Sequence, residues 1–107
     1  MDVSSLRSPI VRQTIETLNE GRLDDFMALF AHNATVVDEA TYSGYETIRE
    51  WTERENFGVH MHLDVEREKN AEGTVIETHA TSHGGYNGRG TLTFTIRGNL
   101  IERLVIS

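Results

Sequence analysis

The chain has 107 residues, the size of one domain with a single core. Its formal net charge of -7 argues against binding to nucleic acid or to an anionic membrane, because phosphate binders need clustered Lys and Arg. The absence of cysteine excludes disulfide and thiol chemistry, and no apolar run is long enough for a signal core or a membrane span. We therefore expect one cytoplasmic domain over residues 1–107.

The first half of the chain predicts three helices and a short strand. SPIVRQTIETLNEG predicts the first helix, with Ser8 as its N-cap and Gly21 at its exit. LDDFMALF predicts a short second helix. ATVVD predicts a short strand that ends at Asp38, and SGYE has the pattern of a capping box that opens a third helix.

The second half predicts a sheet. From Val59 onward, apolar and polar residues alternate, which is typical of a strand with one buried face. TVIETHATSH, TLTFTI and LIERLVIS predict three more strands, separated by glycine-rich turns. A meander of four antiparallel strands must bury one face, and only the front helices can cover it. The predicted fold class is α+β.

Two stretches carry a resemblance to a known family. LNEGRLDDFMALFAHNATVVDEATYSGYETIREW and GTLTFTIRGNLIERLVI resemble the motifs of the nuclear-transport-factor-two-like superfamily, although RGN replaces its usual Asp-Gly turn. That superfamily includes ketosteroid isomerases, SnoaL-like polyketide cyclases and limonene-epoxide-hydrolase-like enzymes. The resemblance implies three N-terminal helices packed in a strongly curved antiparallel sheet, which forms a cone with an apolar cavity open at one end.

Asp38 is the first candidate catalytic residue. It stands where the resemblance places the proton-moving aspartate of ketosteroid isomerases, and an apolar cavity makes a carboxylate a stronger base by disfavouring its charged form. The alternative is that Asp38 only caps or hydrogen-bonds the loop before the third helix.

The oxyanion donors of the isomerases have no counterpart here. The resemblance aligns Thr14 with the donor tyrosine and Leu92 with the donor acid, and neither can supply an acidic proton. This disfavours steroid isomerisation. The epoxide-hydrolase pattern is also disfavoured, because Asp38 has no evident arginine and second aspartate partner. A SnoaL-like cyclase would need an acid/base helper, and histidine is suited to that role near neutral pH.

Four histidines lie on the first two strands of the meander, and their direction depends on the strand register. In one register Leu63 lies beside His79, and His79 and His83 then enter the cavity with Asp38. In the other register the apolar row lies beside Ile76, and the outer face carries a polar cluster of His62, Asp64, Glu77 and His79. We favour the first register. No spacing of ligands indicates a metal site, and no motif indicates a cofactor.

The aromatic and sulfur-containing residues supply candidate ligand contacts. Tyr42 and Trp51 are the stronger candidates, because both are near Asp38 in the sequence; the others are equally consistent with core packing. Tyr86, in the glycine-rich GGYNGRG, is a candidate gate. The predicted ligand-binding residues are Phe30, Tyr42, Trp51, Met61 and Phe94.

Three functions are consistent with these features. The first is an enzyme that acts on an apolar, oxygen-bearing small molecule as an isomerase, cyclase or hydratase, with Asp38 as acid/base and His79 or His83 as helper. The second is a binding protein with the same cavity and no chemistry. The third is an assembly domain whose cavity is filled by its own side chains. A last strand that is apolar on both faces predicts a homodimer through the outer sheet face. The patch would contain Ile101, Arg103 and Val105, or the register-shifted set of the same strand.

Overall fold

The computed structural model describes residues 1–107 and confirms the α+β fold class. Three helices cover one face of an open six-stranded sheet. The helices are α1 (Pro9–Asn19), α2 (Leu23–Met27) and α3 (Tyr45–Glu55). The strands are β1 (Phe30–Asp38), β2 (Ala40–Ser43), β3 (His62–Glu68), β4 (Val75–Thr81), β5 (Asn87–Arg97) and β6 (Leu100–Ile106). Short 3-10 turns span Val3–Ser5 and Phe57–Val59.

The helices follow their predicted signals with two exceptions. Ser8 caps α1 by accepting a hydrogen bond from the Val11 amide at 3.3 Å, as predicted. The second helix is shorter than predicted, because the chain from Phe30 is extended and belongs to β1. The predicted capping box is wrong: Gly44, with φ of 89°, is the N-cap of α3 and no side chain caps it. None of these helices has the length or the apolar character needed to cross a membrane.

The sheet has the order β2-β1-β6-β5-β4-β3. The meander from β3 to β6 is antiparallel, as predicted, but β1 pairs with β6 in parallel, so the sheet is mixed. The four-residue strand β2, which was not predicted, folds back on β1 through Glu39, whose φ is 64°. This hairpin fixes the end of β1 and therefore the position of Asp38.

The favoured register between β3 and β4 is wrong, and the alternative is right. Leu63 pairs with Ala80, and Asp64 pairs with His79. The reason is the burial of Ile76, which has no exposed surface and must share the inner face with Leu63. Because the faces of a strand alternate, an inward Ile76 turns His79 outward.

The core lies between the inner sheet face and the helices. Ile101 is fully buried in this core. Strict alternation from the inward Leu104 would turn Ile101 outward, but the pairing of β5 and β6 is irregular between Thr95 and Ile96, and this irregularity turns Ile101 inward. Ile101 is therefore not part of an outer-face patch, which corrects the patch predicted for the homodimer. Val105 does face outward, since it pairs with the outward Thr93.

Candidate functional site

A cavity of about 470 Å³ lies between α1, α3 and the inner sheet face. Its floor on β4 and β5 is made of small residues: Gly88 pairs with Ala80, and Gly90 pairs with Thr78. Glycine at these two inward positions of β5 leaves a space that larger residues would have filled. The chain's own side chains therefore do not fill the cone, which argues against the assembly domain with a filled cavity.

Asp38 lies in the wall of this cavity. It follows the buried Ala34 and Val36 at every second position of β1, so the alternation of the strand turns its carboxylate inward. The Trp51 indole Nε1 donates a hydrogen bond to Asp38 Oδ2 at 3.2 Å. The carboxylate is thus held by one donor and faces the hollow, where a ligand can meet it.

Trp51 positions that carboxylate from α3. Its side chain is 2% exposed and lines the cavity, and its ring centroid lies 5.9 Å from that of Tyr42. It is the only tryptophan of the chain. Its fluorescence is therefore a direct probe of what enters the cavity.

Two buried hydroxyl groups also line the cavity, but both are used within the fold. Thr14 of α1 donates to the Ile10 carbonyl oxygen at 2.7 Å. Thr78 of β4 donates to the Gly90 carbonyl oxygen at 3.4 Å. Leu92, at the other position where the resemblance places a donor, contributes only apolar surface.

Part of the cavity lining is polar and exposed to solvent. It includes Ser82, Gly84 and Tyr86 of the β4–β5 connection and the carboxylates of Glu39 and Glu55. These residues meet solvent, while the buried lining is mostly apolar, with Leu18, Phe26 and Leu104 among its residues.

Arg89, which also lines the cavity, is tied to the outer face of the sheet. Its Nε donates to Glu66 Oε1 at 2.8 Å. This hydrogen bond raises the pKa of Arg89 and lowers the pKa of Glu66. The Arg89 guanidinium stays charged and is paired with Glu66 on the outer face, so it is not free to bind an anion in the cavity.

The two candidate catalytic histidines do not line the cavity. His79 faces outward on β4, where its ring Nε2 is hydrogen-bonded to the Asn87 side chain. His83 is exposed, and its ring stacks on His60 with centroids 4.7 Å apart. The structure therefore does not bring either imidazole to Asp38.

Of the five predicted ligand contacts, Trp51 and Met61 line the cavity. The other three lie outside its wall. Phe30 packs on Phe26 in the core with centroids 5.2 Å apart, Phe94 is 4% exposed in the same core, and Tyr42 lies against Trp51. Phe94 and Tyr42 complete the packing, and Phe30 also borders a separate surface pocket that Tyr45 lines.

Sequence reasoning missed Thr78 and the wall formed by Gly88 and Gly90. A usable signal was present: once Ile76 is taken as buried, alternation along β4 turns Thr78 inward as well. No group of three or more His, Asp and Glu side chains is placed to hold a metal ion.

Comparisons with known proteins agree with this geometry. The SnoaL-like domain family matches residues 11–104. No curated protein sequence matches the chain. A protein from Sinorhizobium meliloti assigned as a polyketide cyclase shares the fold with a TM-score of 0.85 and 22% identity, over 100% of both chains.

Two further solved structures share the fold at lower identity. A protein from Kribbella flavida assigned as a ketosteroid isomerase has a TM-score of 0.76 and 19% identity, over 91% of this chain and 73% of that chain. RV0760c from Mycobacterium tuberculosis, in complex with estradiol-17β-hemisuccinate, has a TM-score of 0.74 and 14% identity, over 91% of this chain and 88% of that chain. At these sequence identities the structural similarity shows a shared fold and does not by itself assign an activity.

Proposed function

Because this chain belongs to the family of SnoaL-like domains, we propose that it is an acid/base enzyme that needs no cofactor and acts on an apolar, oxygen-bearing small molecule. The observation that supports this most is Asp38, a carboxylate held by Trp51 in the wall of a cavity of about 470 Å³. The steroid ester bound by the Mycobacterium tuberculosis protein of the same fold is consistent with this ligand class. The reaction classes that fit are isomerisation, cyclisation and hydration.

The proposed chemistry starts at a carbon next to a carbonyl group. Asp38 removes a proton from that carbon, the C–H electron pair forms a carbon–carbon double bond, and the carbonyl π electrons move to oxygen. The protonated Asp38 then returns the proton to the same or another carbon. Trp51 positions the carboxylate by its hydrogen bond to Oδ2, and no imidazole takes part.

Hydrogen–deuterium exchange into a model ketone tests this step without knowledge of the natural substrate. The probe is 2-tetralone, a bicyclic ketone with acidic hydrogens between its ring and its carbonyl group. We expect the protein to accelerate exchange of these hydrogens in D₂O, followed by NMR. Asp38→Asn removes the base but can still accept the Trp51 hydrogen bond, so exchange should fall about 10²- to 10⁴-fold. Binding, followed by Trp51 emission, should persist.

Asp64→Asn is the matched control, because Asp64 is an exposed carboxylate on the outer face of β3. It should exchange and bind like the natural protein. Exchange that survives in Asp38→Asn would show that Asp38 is not the base.

A ligand-binding protein without chemistry is the second candidate. Two observations favour it: the Thr14 hydroxyl is used by Ile10, and Leu92 has no polar atom. The same probe separates the two candidates. A binding protein would quench or shift Trp51 emission with 2-tetralone, while exchange would proceed at the rate of buffer alone.

The chain is also proposed to form a homodimer through the outer face of β1, β5 and β6. Val37 and Thr93 both pair with Val105 and form a half-buried patch around it. A two-fold axis would place the same patch on both partners. Light scattering after size exclusion should give a dimer mass, and Val105→Glu should give a monomer mass. A monomer in the natural protein would contradict this proposal.

A further inference from the structure

Tyr86 lines the cavity, and 56% of the residue is exposed. Its backbone is anchored by Ser82: the Tyr86 amide donates to Ser82 Oγ at 3.2 Å, and the Ser82 amide donates to the Tyr86 carbonyl oxygen at 3.1 Å. The main chain is therefore fixed, and the side chain determines where the hydroxyl lies.

The Tyr86 hydroxyl occupies the place of a missing side chain on β5. Position 88 faces inward, because Gly88 pairs with Ala80 and alternates with the buried Leu92. A Cβ atom at Gly88 would lie 2.7 Å from the Tyr86 hydroxyl oxygen and 3.0 Å from the ring carbon that carries it. Glycine at position 88 thus allows a phenol from the neighbouring loop to enter the inner face.

A phenol is a better donor to a developing oxyanion than an alkyl hydroxyl, because it is more acidic. The hydroxyls of Thr14 and Thr78 donate to main-chain carbonyl oxygens, and that of Ser82 is an alkyl hydroxyl. Of the three tyrosines in the chain, Tyr86 alone lines this cavity. It shares that wall with Asp38, on a different element from the helix that carries Thr14.

We propose that the Tyr86 hydroxyl donates the hydrogen bond that stabilises the ligand oxygen when Asp38 removes the proton. This inference rests on the proposed function. The proton moves from carbon to Asp38, the negative charge appears on the former carbonyl oxygen, and the Tyr86 O–H donates to that oxygen without leaving Tyr86. Tyr86 is then a second catalytic residue, and Gly88 is its positioning residue.

Exchange of 2-tetralone in three variants tests the catalytic role. Tyr86→Phe removes only the hydroxyl and should slow exchange by about 10²-fold, the lower part of the range for loss of one oxyanion donor, because the ring is partly exposed to water. Gly88→Ala should slow it similarly while Tyr86 is intact, because the added methyl takes the place of the hydroxyl. In the double variant the two effects should not add.

Tyr45→Phe is the matched control, since Tyr45 stacks on His32 and does not line the cavity. It should exchange at the natural rate. Exchange at the natural rate in Tyr86→Phe would overturn the inference and leave the role of Asp38 intact.

A binding comparison tests the hydrogen bond independently of turnover. Tyr86→Phe should weaken binding of 2-tetralone about 3- to 10-fold, the net effect of one hydrogen bond. It should leave binding of tetralin, the hydrocarbon of the same shape, unchanged. Equal weakening of both compounds would show that Tyr86 only packs on the ligand and would overturn the inference. Failure of the natural protein to bind either compound would overturn the proposed function and this inference with it.

Discussion

The two halves of β5 differ in what they place on the inner face of the sheet. The half that includes Leu92 and Phe94 fills the core, with exposures of 6% and 4%. The half that includes Gly88 and Gly90 places no side chain inward and borders the cavity. From Asn87 to Thr93 the strand pairs with β4 without a register shift, so the cavity arises from absent side chains and not from a break in this part of the sheet. The packed half contributes to stability, although Leu92 also meets the cavity, and the empty half leaves the space that the cavity occupies.

The largest expected effect is on the packed half. Phe94→Ala should lower the free energy of unfolding by about 3–5 kcal/mol, because it removes a large buried side chain and leaves a void. Urea unfolding followed by circular dichroism measures this change. A loss below about 1 kcal/mol would mean that this half of β5 is not packed as the structure shows.

The opposite change in the empty half should affect binding and not stability. Ala80→Leu adds bulk opposite Gly88, so binding of 2-tetralone should weaken at least about 10-fold, while stability stays within about 1 kcal/mol of the natural protein or rises, as for other cavity-filling changes. Trp51 emission and urea unfolding give the two readouts. Thr81→Leu adds similar bulk on the outer face of the same strand and should leave binding unchanged. Unaltered affinity in Ala80→Leu would place the ligand elsewhere.

The smallest expected effect concerns the outer side of the empty half. Without inward side chains at positions 88 and 90, this half of β5 relies on outer-face contacts such as the Arg89–Glu66 pair at 2.8 Å. Arg89→Gln should lower the melting temperature slightly at pH 7, because exposed ion pairs contribute little.

This difference should depend on pH in a defined direction. The Arg89 hydrogen bond lowers the pKa of Glu66 from its ordinary value of 4.5. The pair therefore stabilises the fold fully above that value and stops doing so as pH falls through the lowered pKa. Melting curves of both proteins should converge at strongly acidic pH. If the difference in melting temperature between the two proteins stayed constant from pH 7 to strongly acidic pH, the Arg89–Glu66 pair would be ruled out as its cause.

The sequence predicted Asp38 and Trp51 at the cavity, and the structure has both in its wall. It also predicted His79 and His83 there, and the structure has both outside the wall. Asp38 follows Val36 on a short apolar strand, and that local alternation is enough to turn it inward. The residues around His79 are small or polar on both faces of β4, so local alternation was consistent with either register. The burial of Ile76 against the helices decided it.

The sequence by itself determined the three helices, the antiparallel meander and the inward aspartate, and two of its motifs carried the resemblance to the family. The helices, the meander and the aspartate depend on caps, turns and short-range alternation, which are properties of neighbouring residues. The tertiary structure decided the parallel pairing of β1 with β6, the register of β3 against β4, and the entry of the Tyr86 hydroxyl above Gly88. Each of these joins segments that local pattern does not connect, and is chosen by which arrangement buries the most apolar surface while leaving backbone groups paired.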